Sequence, residues 1–221
     1  MKKYEFTGKT MEYKGYTLHQ IRALRALYIA DNLNPNVTTS ISVNVGDIGG
    51  WILSEENLSH EGNCWVDRNV KIYGYASIED NAYVGGEAIV CGATISGKAR
   101  VVGNADVRGF TKIFGNALIG ESALVKGRSK IYGNATIMGT AKVADSDISG
   151  SATIRGMIEV NCKIFKEGLY DCEDDFREKA PESRSYEKVF IPVDKHLSSV
   201  ERTELNRHKN QFIWFLANNL R

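Results

Sequence analysis

The chain has 221 residues, with 21 Gly against 3 Pro, 43% hydrophobic and 25% charged residues, and a formal net charge of +1. This composition excludes a disordered chain, and near-neutrality argues against general nucleic-acid binding by a globally basic surface. No apolar run approaches the roughly 20 residues that span a bilayer, and residues 1–6 lack the apolar stretch of a signal peptide. A cytoplasmic protein with no membrane partner is expected.

Residues 1–60 read as a β-rich cap. Residues 4–6 and 13–21, separated by Gly8-Lys9-Thr10, predict a hairpin. Residues 31–37 are turn-rich and predict an exposed loop. Trp51 and Ile52 are expected to plug the structure that follows.

A repeat occupies residues 61–164. From Val66 to Val160, seventeen Val or Ile recur six residues apart, except for two steps of five, Val90 to Ile95 and Val143 to Ile148. A small residue stands two places before most of them, and Gly stands two places after twelve of the seventeen. The unit is small-x-[Val/Ile]-x-Gly-x. Residues two apart share one face of a strand, so the small residue and the aliphatic point inward, and Gly follows where the chain must turn. A unit this short cannot bury its apolar edge alone, whereas stacked units can. The fold class predicted is an all-β solenoid, and four Cys without a C-x-x-C pair read as free thiols.

The pattern resembles the hexapeptide-repeat, single-stranded left-handed parallel β-helix, with three hexads to a coil. It departs from the usual hexapeptide pattern in placing Gly two residues after the aliphatic. The lead-in, Gly46-Asp47-Ile48-Gly49-Gly50-Trp51-Ile52 and then Glu61-Gly62-Asn63-Cys64-Trp65-Val66, is similar to that of YdcK-like and phage or prophage β-helix proteins. The resemblance implies a homotrimer and, for a phage-encoded protein, residence in the host cytoplasm.

Residues 165–221 read as an acidic connector, with eight acids over 167–188, followed by a C-terminal α-helix. Ser198 and Glu201 fit a capping box. Phe212, Ile213, Trp214 and Leu216 belong to a broad apolar helical face, expected either to cap the last coil or to form an oligomer contact.

No catalytic residue, metal site or cofactor is indicated. Many hexapeptide solenoids are acyltransferases that use His as general base, but no His lies between Glu61 and Lys195, and no coil carries a long loop. Acyl transfer from coenzyme A is therefore the alternative reading, and a structural scaffold the second alternative. The leading expectation is a non-catalytic binding protein for an anionic, nucleotide-like molecule or a host protein.

That expectation rests on one corner of the solenoid. Placing the aliphatics on three faces sets Arg108 beside Lys126, Phe110 beside Arg128, Lys112 beside Lys130, and Phe114 beside Tyr132, one coil apart. Residues 98–142 carry eight bases and two acids, whereas residues 55–87 carry seven acids. Both five-residue steps fall on this same corner, in the coils below and above the pair. Cations that grip phosphate beside aromatic faces that stack a base would make an anion site.

Overall fold

The computed structural model describes residues 2–30 and 40–171. The expected loop at 31–37, nearly all of the acidic connector and the C-terminal helix with Phe212, Ile213, Trp214 and Leu216 lie outside the described residues.

Five strands build the cap: β1 (Tyr4–Tyr13), β2 (Tyr16–Ala23), β3 (Leu27–Ala30), β4 (Ser40–Val43) and β5 (Ile48–Ile52). The β1–β2 hairpin is longer than the sequence indicated, and its turn lies elsewhere. The chain reverses at Lys14-Gly15, with φ of 50° and 80°. Two consecutive positive-φ residues are what a two-residue hairpin turn needs. Around Gly8 the register shifts between Phe6 and Thr10, so this segment is a bulge within β1.

Strand β5 joins the cap to the solenoid. It pairs antiparallel with β2 on one side, and parallel with the strand Lys71–Tyr73 on the other, with Ile52 opposite Ile72. From there the chain winds as a three-sided parallel β-solenoid of about seven coils. The first face stacks Ile52, Ile72, Val90, Val107, Val125, Val143 and Val160. The second stacks Leu58, Ile78, Ile95, Ile113, Ile131, Ile148 and Phe165. The third stacks Val66, Val84, Val101, Ile119, Ile137, Ile154 and Tyr170. These residues are buried together with the small residues two places before them, in one continuous core.

The solenoid therefore extends past both ends of the Val/Ile pattern. Ile52 and Leu58 start the first coil ahead of residue 61. Phe165 and Tyr170 complete the last one past residue 164, so Glu167 and Asp171 belong to a coil. Aromatic side chains replace aliphatic ones there, because the last coil packs Phe165 against Tyr170, ring centroids 4.6 Å apart. At the opposite end, Ile52 is a core residue, but Trp51 is half-buried on the outer surface between Gln20 and Lys71. Tyr4 contributes the closure instead. It is fully buried, its hydroxyl donates to the Leu58 carbonyl at 2.8 Å, and its ring stacks on His60 at 4.3 Å.

All twelve repeat glycines have positive φ. Four non-glycine residues at equivalent turn positions, Asp80, Glu121, Asp145 and Cys162, share that backbone conformation. The three acids among them are tied down: Asp80 accepts from Gly97 N–H at 2.9 Å, Glu121 from Gly139 N–H at 2.8 Å, and Asp145 from Arg128 N–H at 2.9 Å. A charge-assisted hydrogen bond to a neighbouring coil thus offsets the strain of a left-handed residue with a side chain.

Candidate functional site

The corner between the first and second faces is formed in two successive coils by residues 108–111 and 126–129. Thr111 and Ser129 take the small-residue position, and both are buried. The Thr111 hydroxyl donates to the Arg108 carbonyl at 2.9 Å, and the Ser129 hydroxyl donates to the Lys126 carbonyl at 2.9 Å. Ser146 N–H then donates to the Ser129 hydroxyl at 3.2 Å. Buried hydroxyls brace the corner from inside. The signal for this was in the repeat, since most other coil positions of this type hold Ala.

The eight predicted residues divide into two neighbourhoods. Lys112 and Lys130 are direct register partners on the second face, and both are exposed. Phe114 and Tyr132 follow two residues later on the same outer surface. Their rings stack with centroids 4.9 Å apart and planes 3° from parallel. Two ammonium groups therefore stand beside a two-ring ladder. Phe110, 72% exposed, projects at the corner itself.

Arg108 and Lys126 lie around the corner on the first face. Arg108 forms a two-point ion pair with Asp106, whose carboxylate raises the guanidinium pKa further. Its charge is compensated locally. The β1–β2 hairpin tip covers part of this face, with Tyr13 edge-on to Tyr73 at 5.6 Å and Tyr16 at 5.4 Å from the same ring. Lys14 and Lys71 each lie over the Tyr13 ring, at 5.4 Å and 5.5 Å. Sequence reasoning missed this cluster, because it is made by a cap segment folding back over coils far along the chain.

Arg128 is exposed, while its backbone N–H is held by Asp145. The coil above Lys130 places Asp147 in register with it. The basic stripe on the second face thus ends at Lys130.

A concavity of about 480 Å³ lies beside the third face and is lined by Val43, Asp47, Trp65, Asp67, Arg68 and Tyr83 among others. The Tyr83 hydroxyl donates to the Asp67 carboxylate in a short hydrogen bond. Burial raises the Asp67 pKa, and the Tyr83 bond works in the opposite direction. With two carboxylates against one guanidinium, this concavity is electrostatically unsuited to an anion.

Among the described residues, no three His, Cys, Asp or Glu are grouped to hold a metal ion, and no helix is long and apolar enough to cross a membrane. His60 is engaged in packing: its Nδ1 accepts from the Lys3 N–H at 3.2 Å, and its ring lies on Tyr4. No protein-family model matches the chain, and no curated protein matches it.

Proposed function

We propose that this protein is a non-catalytic, oligomeric, left-handed β-solenoid of the YdcK-like or phage and prophage β-helix type, which binds an anionic, nucleotide-like ligand on its second face. The observation that carries the reading is the Lys112–Lys130 pair beside the Phe114–Tyr132 stack. Like charges in register on adjacent strands disfavour folding by roughly 0.2–1 kcal/mol, and an anion between them reverses that sign. The aromatic ladder has an open rung. Ser96 holds the position of Phe114 one coil earlier, and its small side chain leaves that face of the ring without a stacked aromatic neighbour among the described residues. A planar base placed over Ser96 extends the stack, with its phosphate within reach of Lys112. Sequestration of a host nucleotide signal is the biological role that fits such a site.

Calorimetric titration of the parent and of the Lys112→Glu/Lys130→Glu double variant with a panel of mono- and dinucleotides tests the proposal. Binding that weakens with added salt and is lost in the variant is expected. Equal binding by both proteins, or none by the parent, overturns the reading. Turnover of acetyl-coenzyme A above background with any acceptor would replace it with acyl transfer.

A further inference from the structure

Two buried groups at the solenoid entrance lie apart from the candidate site, and one of them, Cys64, belongs to the core. The Lys3 ammonium position and the Cys64 thiol are both fully buried, and Nζ lies 3.0 Å from Sγ. Lys3 Nζ also donates to the Glu61 carbonyl at 3.4 Å. The sulfur also lies within reach of backbone carbonyls, those of Ile78 at 3.4 Å, Ser59 at 3.6 Å and Glu61 at 3.7 Å. The thiol proton is thereby directed to a carbonyl, and a sulfur lone pair is left facing the amine. Burial pushes the lysine pKa down and the cysteine pKa up, which favours a neutral amine beside a neutral thiol. A lysine seldom sits fully buried without a carboxylate, and here its nearest side-chain polar atom is a nucleophilic, oxidisable sulfur.

We infer that Lys3 and Cys64 form an oxidative covalent cross-link, joined through one oxygen atom as Nζ–O–Sγ, when the protein meets a peroxide. One hydrogen peroxide oxidises the thiol to a sulfenic acid and leaves as water. A second accepts two electrons and two protons as the lysine nitrogen bonds to the sulfenic oxygen, and it leaves as two waters. An N–H and an O–H bond break, an N–O bond forms, and sulfur and nitrogen together lose four electrons. A single bridging oxygen spans the present gap with little movement of either side chain. The reaction is slow, because the buried thiol is mostly protonated, and peroxide enters when the chain terminus opens. Its effect is a staple between the start of β1 and the first coil, closing a loop from residue 3 to residue 64 and fixing the cap on the solenoid.

The full chain carrying Cys91→Ser, Cys162→Ser and Cys172→Ser is treated with hydrogen peroxide, digested and analysed by tandem mass spectrometry. The expected product joins the Lys3 and Cys64 peptides, heavier than their sum by one oxygen less two hydrogens. It reverts with dithiothreitol and is absent from Lys3→Arg. The melting temperature rises by roughly 5 °C on oxidation. Amine labelling of the denatured, oxidised chain gives a readout independent of Lys3→Arg folding: Lys3 resists labelling until dithiothreitol is added. Recovery of Cys64 as a sulfinic acid with a free Lys3 amine, a direct sulfur–nitrogen bond, or an unmodified pair overturns the inference.

Discussion

The ring of Phe114 lies flat on that of Tyr132, one coil apart, with centroids 4.9 Å apart and planes 3° from parallel. Strand register alone brings them together, since Ile113 pairs with Ile131 immediately before them. The pair contributes to stability and, in the proposed function, offers the platform for a base. Replacing Phe114 with Ala is expected to cost about 1 kcal/mol in urea denaturation and to weaken nucleotide binding at least about fivefold, one base-stacking contact being worth roughly 1–3 kcal/mol. Unchanged affinity in a folded variant would remove the stack from the site.

Lys112→Glu separates binding from folding, since its other register partner is the neutral Thr94. The substitution converts the like-charge opposition of Lys112 and Lys130 into an attractive pair. Stability is expected to rise by about 0.5 kcal/mol at low salt, with the gain shrinking as salt is added, while anion binding falls. Chemical denaturation and calorimetry on one preparation measure both. A drop in stability would show that Lys112 is held by partners other than its register neighbours.

Gly103 illustrates how little tolerance the turn columns have. Its φ is +71°, and a Cβ there would meet the Glu121 backbone oxygen at 2.8 Å. Both the left-handed backbone and the coil-to-coil contact oppose a side chain, so Gly103→Ala is expected to cost about 2 kcal/mol or more. Gly8→Ala has open space around its Cβ, and therefore bears only the conformational term. The difference between the two midpoints in urea isolates the contact.

Asp67 makes a pH prediction with a defined sign. Its pKa is raised by burial in the folded state, so the folded protein holds this proton more tightly than the unfolded chain. Stability from this group is complete below the ordinary Asp range, near pH 4, and is lost as pH rises through the raised folded value. Asp67→Asn keeps an acceptor for Tyr83 and removes the titration. The stability of the parent relative to this variant should fall as pH rises from the ordinary Asp range, near pH 4, measured by urea midpoints at each pH. A flat difference would show that the Tyr83 hydrogen bond cancels the burial effect.

Much of the solenoid was legible because its physics is local. A six-residue step between Val or Ile residues, a small residue two before and Gly two after dictate strand, inward face and turn, and stacking follows because nothing else buries them. The pairing of Lys112 with Lys130 and of Phe114 with Tyr132 came from the same counting. The coil ends were hidden where the inward residue changes type: Leu58, Phe165 and Tyr170 fill the same positions as Val and Ile but break the pattern. The hairpin turn was misplaced because Gly8 and Gly15 look alike in a sequence, and only strand register distinguishes a bulge from a reversal.

The sequence by itself determined the repeat, the three faces and the corner on which cations and aromatics gather, since each follows from a period that neighbouring residues enforce. Tertiary structure alone decided which of those cations are available. Asp106 pairs with Arg108, the hairpin tip covers part of the first face, and Asp145 and Asp147 bound the stripe from the next coil. Such contacts depend on how side chains orient and how distant segments fold back, and no period encodes either. The Lys3–Cys64 contact is of the same kind: it joins residues 61 positions apart, and it exists only once the cap has closed on the first coil.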